Sequence, residues 1–152
     1  DRVDQLENGS IIIIDYKTQK QSIASLLGCR LDEPQLPLYL VTAKSNAIAV
    51  VFAQVKMGVI GFVGLVRDED VLPGVKAYTE LSRYNLPGSW EALVEVWRQD
   101  LTNLAAGFYN GDARVDPKNL LACRYCDLQS FCRIHERRGR SELPSVGDDT
   151  NE

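Results

Sequence analysis

An acidic residue and a lysine near the start of the chain have the types and spacing for metal-assisted chemistry. Asp15 and Lys17 flank Tyr16 at the end of the run IIII, whose β-branched residues predict a strand. Because side chains alternate across a strand, the carboxylate and the ammonium stand side by side on one face. Such a pair can hold a divalent cation and set a lysine beside a water molecule or a developing negative charge. Isolated pairs of this kind are usually surface ion pairs, so other residues must support the interpretation.

The segment before this strand supplies a second carboxylate, whose identity depends on the turn. DRVDQL and the IIII strand are joined by ENGS, which predicts a β-hairpin. A three-residue loop with a left-handed bulge at Gly9 places Asp1 opposite Asp15, about 5 Å apart at Cβ. A two-residue Asn-Gly turn shifts the register by one residue and brings Asp4 to that face instead. Either pair of like charges is costly unless the two carboxylates share a cation.

A third feature is a predicted helix in DEPQLPLYLVTAK, with Asp32 or Glu33 as its cap and prolines in its first turn. Gln35 and Tyr39 lie four residues apart and therefore share one face of this helix. Both side chains can hydrogen-bond to water, to a carboxylate or to a phosphate oxygen. Many helices carry such a pair without a function, so the pair counts only in combination with other residues.

Three of the four cysteines, Cys123, Cys126 and Cys132, form the pattern C-x2-C-x5-C. This spacing suits thiolates that converge on one metal ion or cluster, and it does not suit the disulfides of a small secreted protein. It therefore indicates a reducing compartment. A 4Fe-4S cluster or a Zn²⁺ site needs a fourth ligand, for which the chain offers Cys29 and His135, and neither has an evident claim.

The rest of the chain supplies the elements that must position these residues. The apolar runs 47–55 and 57–66, divided at Lys56-Met57-Gly58, predict a second hairpin, and residues 67–88 are predicted to be mostly loop. Ser89 predicts the start of a helix that ends at Gly111. Its apolar stripe, which we interpret as core, comprises Trp90, Leu93, Val94, Trp97, Leu101, Leu104, Ala105 and Phe108. Together the elements predict an α/β domain with a mixed, mostly antiparallel sheet flanked by helices.

Length and charge limit the class of protein. The 152 residues, 45% hydrophobic and 25% charged, fit one globular domain, which we place at residues 1–140. A net charge of −4 argues against a protein that coats nucleic acid, although an enzyme that gathers carboxylates around cations is allowed. Arginines concentrate between residues 123 and 140, whereas residues 141–152 are acidic and predict a flexible tail. No apolar stretch reaches the ~20 residues of a membrane span, and we expect a cytoplasmic protein with no membrane partner.

The order of the four motifs, D-R-x-D, D-Y-K, Q-x-x-x-Y and C-x2-C-x5-C, resembles the RecB-like branch of the PD-(D/E)xK nuclease superfamily. Within that branch it resembles the AddB-type exonuclease domains that carry an iron-sulfur motif. The resemblance spans Asp1 to Cys132 and implies a restriction-endonuclease-like fold. It also implies metal-dependent exonuclease activity on DNA in recombination and double-strand-break repair, together with a helicase domain or subunit.

The resemblance assigns a role to each motif. Asp1, Asp15 and the backbone carbonyl of Tyr16 are implied to bind Mg²⁺ or Mn²⁺, and Lys17 is implied to assist the attacking water. Gln35 and Tyr39 are implied to support the site and to contact DNA. Cys123, Cys126 and Cys132 are implied to bind a 4Fe-4S cluster, with Zn²⁺ as the alternative.

The chain departs from this pattern at its start. RecB-like domains begin with an upstream helix that often carries a further site residue and, in the iron-sulfur members, the first cluster cysteine. We therefore expect a domain truncated at its N-terminus, with an open or empty cluster site and little activity outside the full-length parent. Cys29 lies where the resemblance places no ligand and is expected to be structural. The alternatives are a restriction enzyme or junction resolvase, and a non-catalytic DNA-binding module stapled by an iron-sulfur cluster or zinc.

Overall fold

The first part of the chain is built on a four-stranded mixed sheet in the order β1-β2-β3-β4. Strands β1 (Arg2–Gln5) and β2 (Ile11–Lys17) pair antiparallel, β2 pairs parallel with β3 (Ala47–Lys56), and β3 pairs antiparallel with β4 (Val59–Val66). The parallel pair requires a crossover connection, which contains helix α1 (Gln35–Thr42). The predicted mixed, mostly antiparallel sheet with flanking helices is confirmed.

This computed structural model describes residues 1–43 and 46–137. The chain divides into two compact units, residues 1–111 and residues 112–152. The acidic tail predicted at residues 141–152 lies outside the described residues, and the predicted domain boundary at residue 140 stays a prediction. Within the described residues, no helix combines the length and the apolar character that a membrane crossing needs.

The loop of the first hairpin has three residues. The N–H of Leu6 donates to the carbonyl of Ser10 at 2.8 Å, and the N–H of Gly9 donates to the carbonyl of Leu6 at 2.9 Å. Gly9 has a φ of 80°, a left-handed conformation that glycine adopts without steric cost. The strands then pair with Arg2 opposite Ile14. Of the two predicted turns, the bulged three-residue loop is confirmed.

The centre of the sheet is buried on both faces because β2 and β3 are apolar at nearly every position. One face packs against the helices in a core that contains Ile13, Leu36, Leu40, Val50, Phe52, Leu65, Trp90, Leu93 and Trp97. The other face has a smaller core that contains Ile12, Ile14, Ala49, Val51, Ala53 and Val66. Residues of the loop after β4 cover this second core, namely Val71, Leu72 and Val75.

Helix α2 (Trp90–Tyr109) begins where the sequence predicts it. The hydroxyl oxygen of Ser89 accepts a hydrogen bond from the N–H of Ala92 at 3.1 Å, which satisfies one of the free N–H groups at the helix start. Trp97 is buried, and its indole N–H donates to the carbonyl of Leu26 at 2.8 Å. This bond ties α2 to the segment between β2 and α1.

The apolar stripe of α2 is core only in its first half. Trp90, Leu93 and Trp97 are buried, whereas Leu104 is 53% exposed and Phe108 is 79% exposed. The prediction that the whole stripe is core is therefore wrong. A helix of this length extends about 30 Å, and the eight-residue α1 that packs against it is much shorter.

The start of α1 also differs from the prediction. Its N-cap residue is Pro34, and no side chain caps it. The prediction that Asp32 or Glu33 caps this helix is wrong, because the Glu33 carboxylate instead points to Lys17 and forms an ion pair with it.

The close approach of β3 and β4 generates a stability prediction. A Cβ atom on Gly64 would lie 2.3 Å from the carbonyl oxygen of Val50, whereas a Cβ on Gly61 in the same strand meets no atom within 4 Å. We expect Gly64→Ala to lower the free energy of unfolding by about 2–3 kcal/mol through overpacking. Gly61→Ala should change it by less than about 1 kcal/mol. Urea unfolding of both variants measures the difference, and equal effects would contradict the packing argument.

Candidate active site

The two predicted carboxylates meet at the open end of the first hairpin. The register that pairs Arg2 with Ile14 places Asp1 opposite Asp15 when it is continued by one residue. Asp4 pairs with Ile12 and lies on the other face of the sheet, where Arg2 binds it at 2.6 Å. The alternative that made Asp4 the second carboxylate of the site is therefore wrong.

Helix α1 holds the Asp1 carboxylate with both residues of its Q-x-x-x-Y motif. The amide of Gln35 donates to Asp1 Oδ2 at 2.7 Å, and the hydroxyl of Tyr39 donates to the same oxygen at 2.8 Å. The amide of Gln35 also lies 2.9 Å from the Tyr39 hydroxyl, so the three groups form one hydrogen-bonded set. The spacing of four residues lets two side chains on one helix face reach one carboxylate.

Lys17 lies between two carboxylates. Its Nζ is 3.1 Å from Asp15 Oδ2 and 3.1 Å from Glu33 Oε2. Its ammonium also lies 5.9 Å from the centroid of the Phe52 ring, within the range of a cation–π contact. Partial burial lowers the pKa of Lys17, but the neighbouring carboxylates of Asp15 and Glu33 outweigh this effect and raise it above its ordinary value. The lysine is therefore held as a cation.

Asp15 is the buried member of the site. The residue is 4% exposed, and its Oδ2 atom accepts no hydrogen bond of acceptable geometry from the described residues. The ion pair with Lys17 at 3.1 Å compensates its charge. Burying a carboxylate oxygen that accepts no hydrogen bond costs free energy unless a cation lies nearby.

The donor set fits a hard divalent cation. Asp1 and Asp15 offer carboxylate oxygens, the ligands that Mg²⁺ and Mn²⁺ prefer. Among the residues that the structure describes, no group of three or more His, Cys, Asp or Glu side chains is arranged to hold a metal ion. A cation at this place would thus depend on two carboxylates and on water, which suits Mg²⁺ because it retains several waters. The side chain of Tyr16 is 50% exposed on the opposite face of β2, so only its backbone carbonyl is available to such a cation.

Two polar residues of the site were missed by the sequence analysis. Glu33 was considered only as a helix cap, although it precedes the Q-x-x-x-Y motif by two residues and so lies near the site. Gln54 is the parallel-strand partner of Lys17, is 6% exposed, and donates to the carbonyl of Gln21 at 3.4 Å. The parallel pairing of β2 with β3 places Gln54 beside Lys17. No local pattern in the sequence predicts that pairing.

The three cysteines of the C-x2-C-x5-C motif lie in the second unit. Cys123 ends a short 3-10 helix (Leu120–Cys123), and Cys132 ends a short helix (Gln129–Cys132). Cys123, Cys126 and Cys132 are all free and half-buried. In the described residues the three thiols form no group that would hold a metal ion, and their role as cluster ligands stays a prediction. Cys29, in the first unit, is free and exposed.

The arginine-rich segment is described only in part. The guanidinium of Arg133 forms an ion pair with Glu136, three residues along the chain. The side chains of His135 and Arg137, and the whole of Arg138 and Arg140, lie outside the described residues. The interpretation of these arginines as the path of a DNA strand stays a prediction.

Comparison with known families agrees with this geometry. The profile of the PD-(D/E)XK nuclease superfamily matches residues 1–133 of the chain. The chain therefore belongs to the PD-(D/E)XK nuclease superfamily, and its mixed sheet flanked by helices has the restriction-endonuclease-like α/β fold. No curated protein and no solved structure matches the chain significantly.

The burial of Asp15 predicts the effect of removing its partner. Lys17→Met leaves a buried carboxylate without its ammonium, and we expect the free energy of unfolding to fall by about 1–3 kcal/mol in the presence of EDTA. Millimolar Mg²⁺ should restore more stability to this variant than to the wild type, because a cation can replace the ammonium.

Lys56→Met, at an exposed lysine that ends β3, is the matched control. Its stability should stay within about 0.5 kcal/mol of the wild type. Urea unfolding with EDTA and with Mg²⁺ measures both variants. If the two behave alike, Lys17 does not compensate the Asp15 charge.

Proposed function

We propose that this chain is the catalytic domain of a metal-dependent DNA exonuclease. One observation carries the proposal: Asp15 and Lys17 stand together on β2 while Gln35 and Tyr39 hold Asp1 from the adjacent helix. Membership of the PD-(D/E)XK nuclease superfamily supports hydrolysis of nucleic acid as the reaction class.

The roles of the residues follow from their positions. Asp1 and Asp15 would hold Mg²⁺ or Mn²⁺, with the backbone carbonyl of Tyr16 as a further ligand. When bound, the divalent cation activates a water molecule and stabilises the negative charge that develops on the phosphate. Lys17 stays protonated and donates hydrogen bonds to that water or to the phosphate oxygens. Gln35 and Tyr39 keep the Asp1 carboxylate oriented toward the cation.

The finer assignments rest on the order of the motifs. D-R-x-D, D-Y-K, Q-x-x-x-Y and C-x2-C-x5-C follow one another as in AddB-type exonuclease domains. On this basis we propose a role in recombination and double-strand-break repair in the cytoplasm, beside a helicase domain or subunit. The same likeness supports DNA as the substrate.

The activity is tested with linear DNA and with covalently closed circular DNA of the same sequence. In the presence of Mn²⁺ the linear DNA should be degraded, and the closed circle should persist because it offers no end. The assay uses the full-length protein that the gene encodes, in which the activity is expected.

We expect Asp15→Asn and Lys17→Ala to lower the rate by at least about 100-fold, because the first removes a charge that holds the cation and the second removes a charge that acts on the reacting phosphate. Lys56→Ala should retain the wild-type rate. Cutting of the closed circle would favour a restriction-enzyme or resolvase activity. Metal-independent binding of DNA without cleavage would favour the non-catalytic module.

The cysteine motif carries a separate proposal. We propose that Cys123, Cys126 and Cys132 bind a 4Fe-4S cluster or Zn²⁺, on the strength of the C-x2-C-x5-C spacing alone, since the thiols do not form a ligand group in the structure. Elemental analysis of the full-length protein, purified without oxygen, should find about four iron atoms or one zinc atom per chain.

Cys126→Ser should remove most of this metal, whereas Cys29→Ser should leave it in place, because Cys29 lies outside the motif. Substoichiometric iron and zinc in the wild-type protein would contradict the proposal.

A further inference from the structure

The two carboxylates that contact Lys17 differ in their burial and in their position relative to Asp1. Asp15 and Glu33 each place one oxygen 3.1 Å from the ammonium. The Asp15 side chain is 5% exposed and faces Asp1 across the hairpin, whereas the Glu33 side chain is 32% exposed and precedes α1. Asp15 is therefore the carboxylate placed for a cation, and Glu33 is the one that is free to retain the lysine.

The ammonium of Lys17 contacts the same carboxylate that a cation at this site would use. Asp15 Oδ2 is buried, and Lys17 Nζ is its nearby positive charge. A divalent cation bound to Asp15 would repel this ammonium, and the repulsion is strong where water is excluded. The contact between Lys17 and Asp15 is then weakened, and Glu33 is the other anion already in contact with the ammonium.

We propose that Glu33 is a positioning residue that takes over the Lys17 ammonium when a divalent cation binds at Asp15. The inference rests on the proposed function, since it assumes that Asp15 binds a cation. Lys17 already bridges the two carboxylates, so the exchange requires only that one of its two contacts be released. The contact of its ammonium with the ring of Phe52 keeps the lysine at the site while this happens.

Glu33 is not a third ligand in this arrangement. Its contact is the ammonium of Lys17, which lies between it and Asp15. Within the described part of the chain, no three acidic or other metal-binding side chains are grouped to hold a cation. The effect of Glu33 on the cation should therefore act through Lys17, and this is what separates positioning from direct ligation.

The test is a double-mutant cycle on Mn²⁺ affinity, measured by electron paramagnetic resonance of free Mn²⁺ on the 152-residue chain without DNA. Glu33→Gln should weaken Mn²⁺ binding by about tenfold, because the displaced lysine loses its second anion. In the Lys17→Met background the same change should weaken binding by less than about threefold. Lys17→Met alone should bind Mn²⁺ at least as tightly as the wild type, since the competing ammonium is gone.

Glu95→Gln is the matched control, because Glu95 forms an exposed ion pair with Arg98 on α2. It should leave Mn²⁺ affinity unchanged, and thermal unfolding in EDTA verifies that each variant is folded. In the DNA assay at saturating Mn²⁺, Glu33→Gln should lower kcat and leave the KM for DNA unchanged, because Glu33 orients the lysine and does not hold the substrate.

Equal loss of Mn²⁺ affinity in the two backgrounds would make Glu33 a direct ligand and overturn the inference. No loss in either background, or weaker binding by Lys17→Met alone, would overturn it as well. If the wild type cleaves DNA with Mn²⁺ while Glu33→Gln matches it in affinity and kcat, only the inference fails. If the wild type binds no Mn²⁺ and cleaves no DNA, the proposed function fails with it.

Discussion

Repulsion between two neighbouring carboxylates is the constraint around which this site is organised. Asp1 and Asp15 face each other across an antiparallel pair, an arrangement that costs free energy unless other groups compensate both charges. The chain compensates them differently. Two neutral donors from α1 bind Asp1, and a cationic side chain from the same strand binds Asp15. The result is that two carboxylates are held at facing positions of neighbouring strands.

The rigidity of this arrangement comes from the position of β2 in the sheet. Its residues 12–15 are buried, with apolar cores on both faces, so a slip of one residue would move its aspartate to the wrong face and exchange the isoleucines between two different cores. The three-residue loop then fixes β1 relative to β2. In this way the large apolar area of the core stabilises the placement of a few polar groups at its edge, where the hydrogen bonds alone would be too weak to specify it.

Much of this fold could be predicted because local sequence patterns determine it. The predictions failed where contacts between residues distant in the sequence determine the structure. The β-branched residues and turn residues of the first 17 positions predict the hairpin, yet E-N-G-S is compatible with two registers, and only the hydrogen bonds of the folded loop distinguish them. Glu33 has the sequence context of a helix cap, but a nearby ammonium attracts it more strongly. The periodicity of α2 identifies an apolar face without saying how far along the helix that face is covered. Likewise, the spacing of the cysteines shows that they are close in sequence, and whether their thiols converge depends on the backbone between them.

The strand that directly follows Asp1 has a dynamic consequence. β1 has four residues, lies at the edge of the sheet and is mostly exposed, so its backbone amides should exchange with deuterium far sooner than those of β2. Each local unfolding of β1 would separate Asp1 from Asp15 while the rest of the domain stays folded. The fraction of catalytically competent molecules would then depend on this local unfolding equilibrium. On warming, that fraction would fall at temperatures at which the core is still folded.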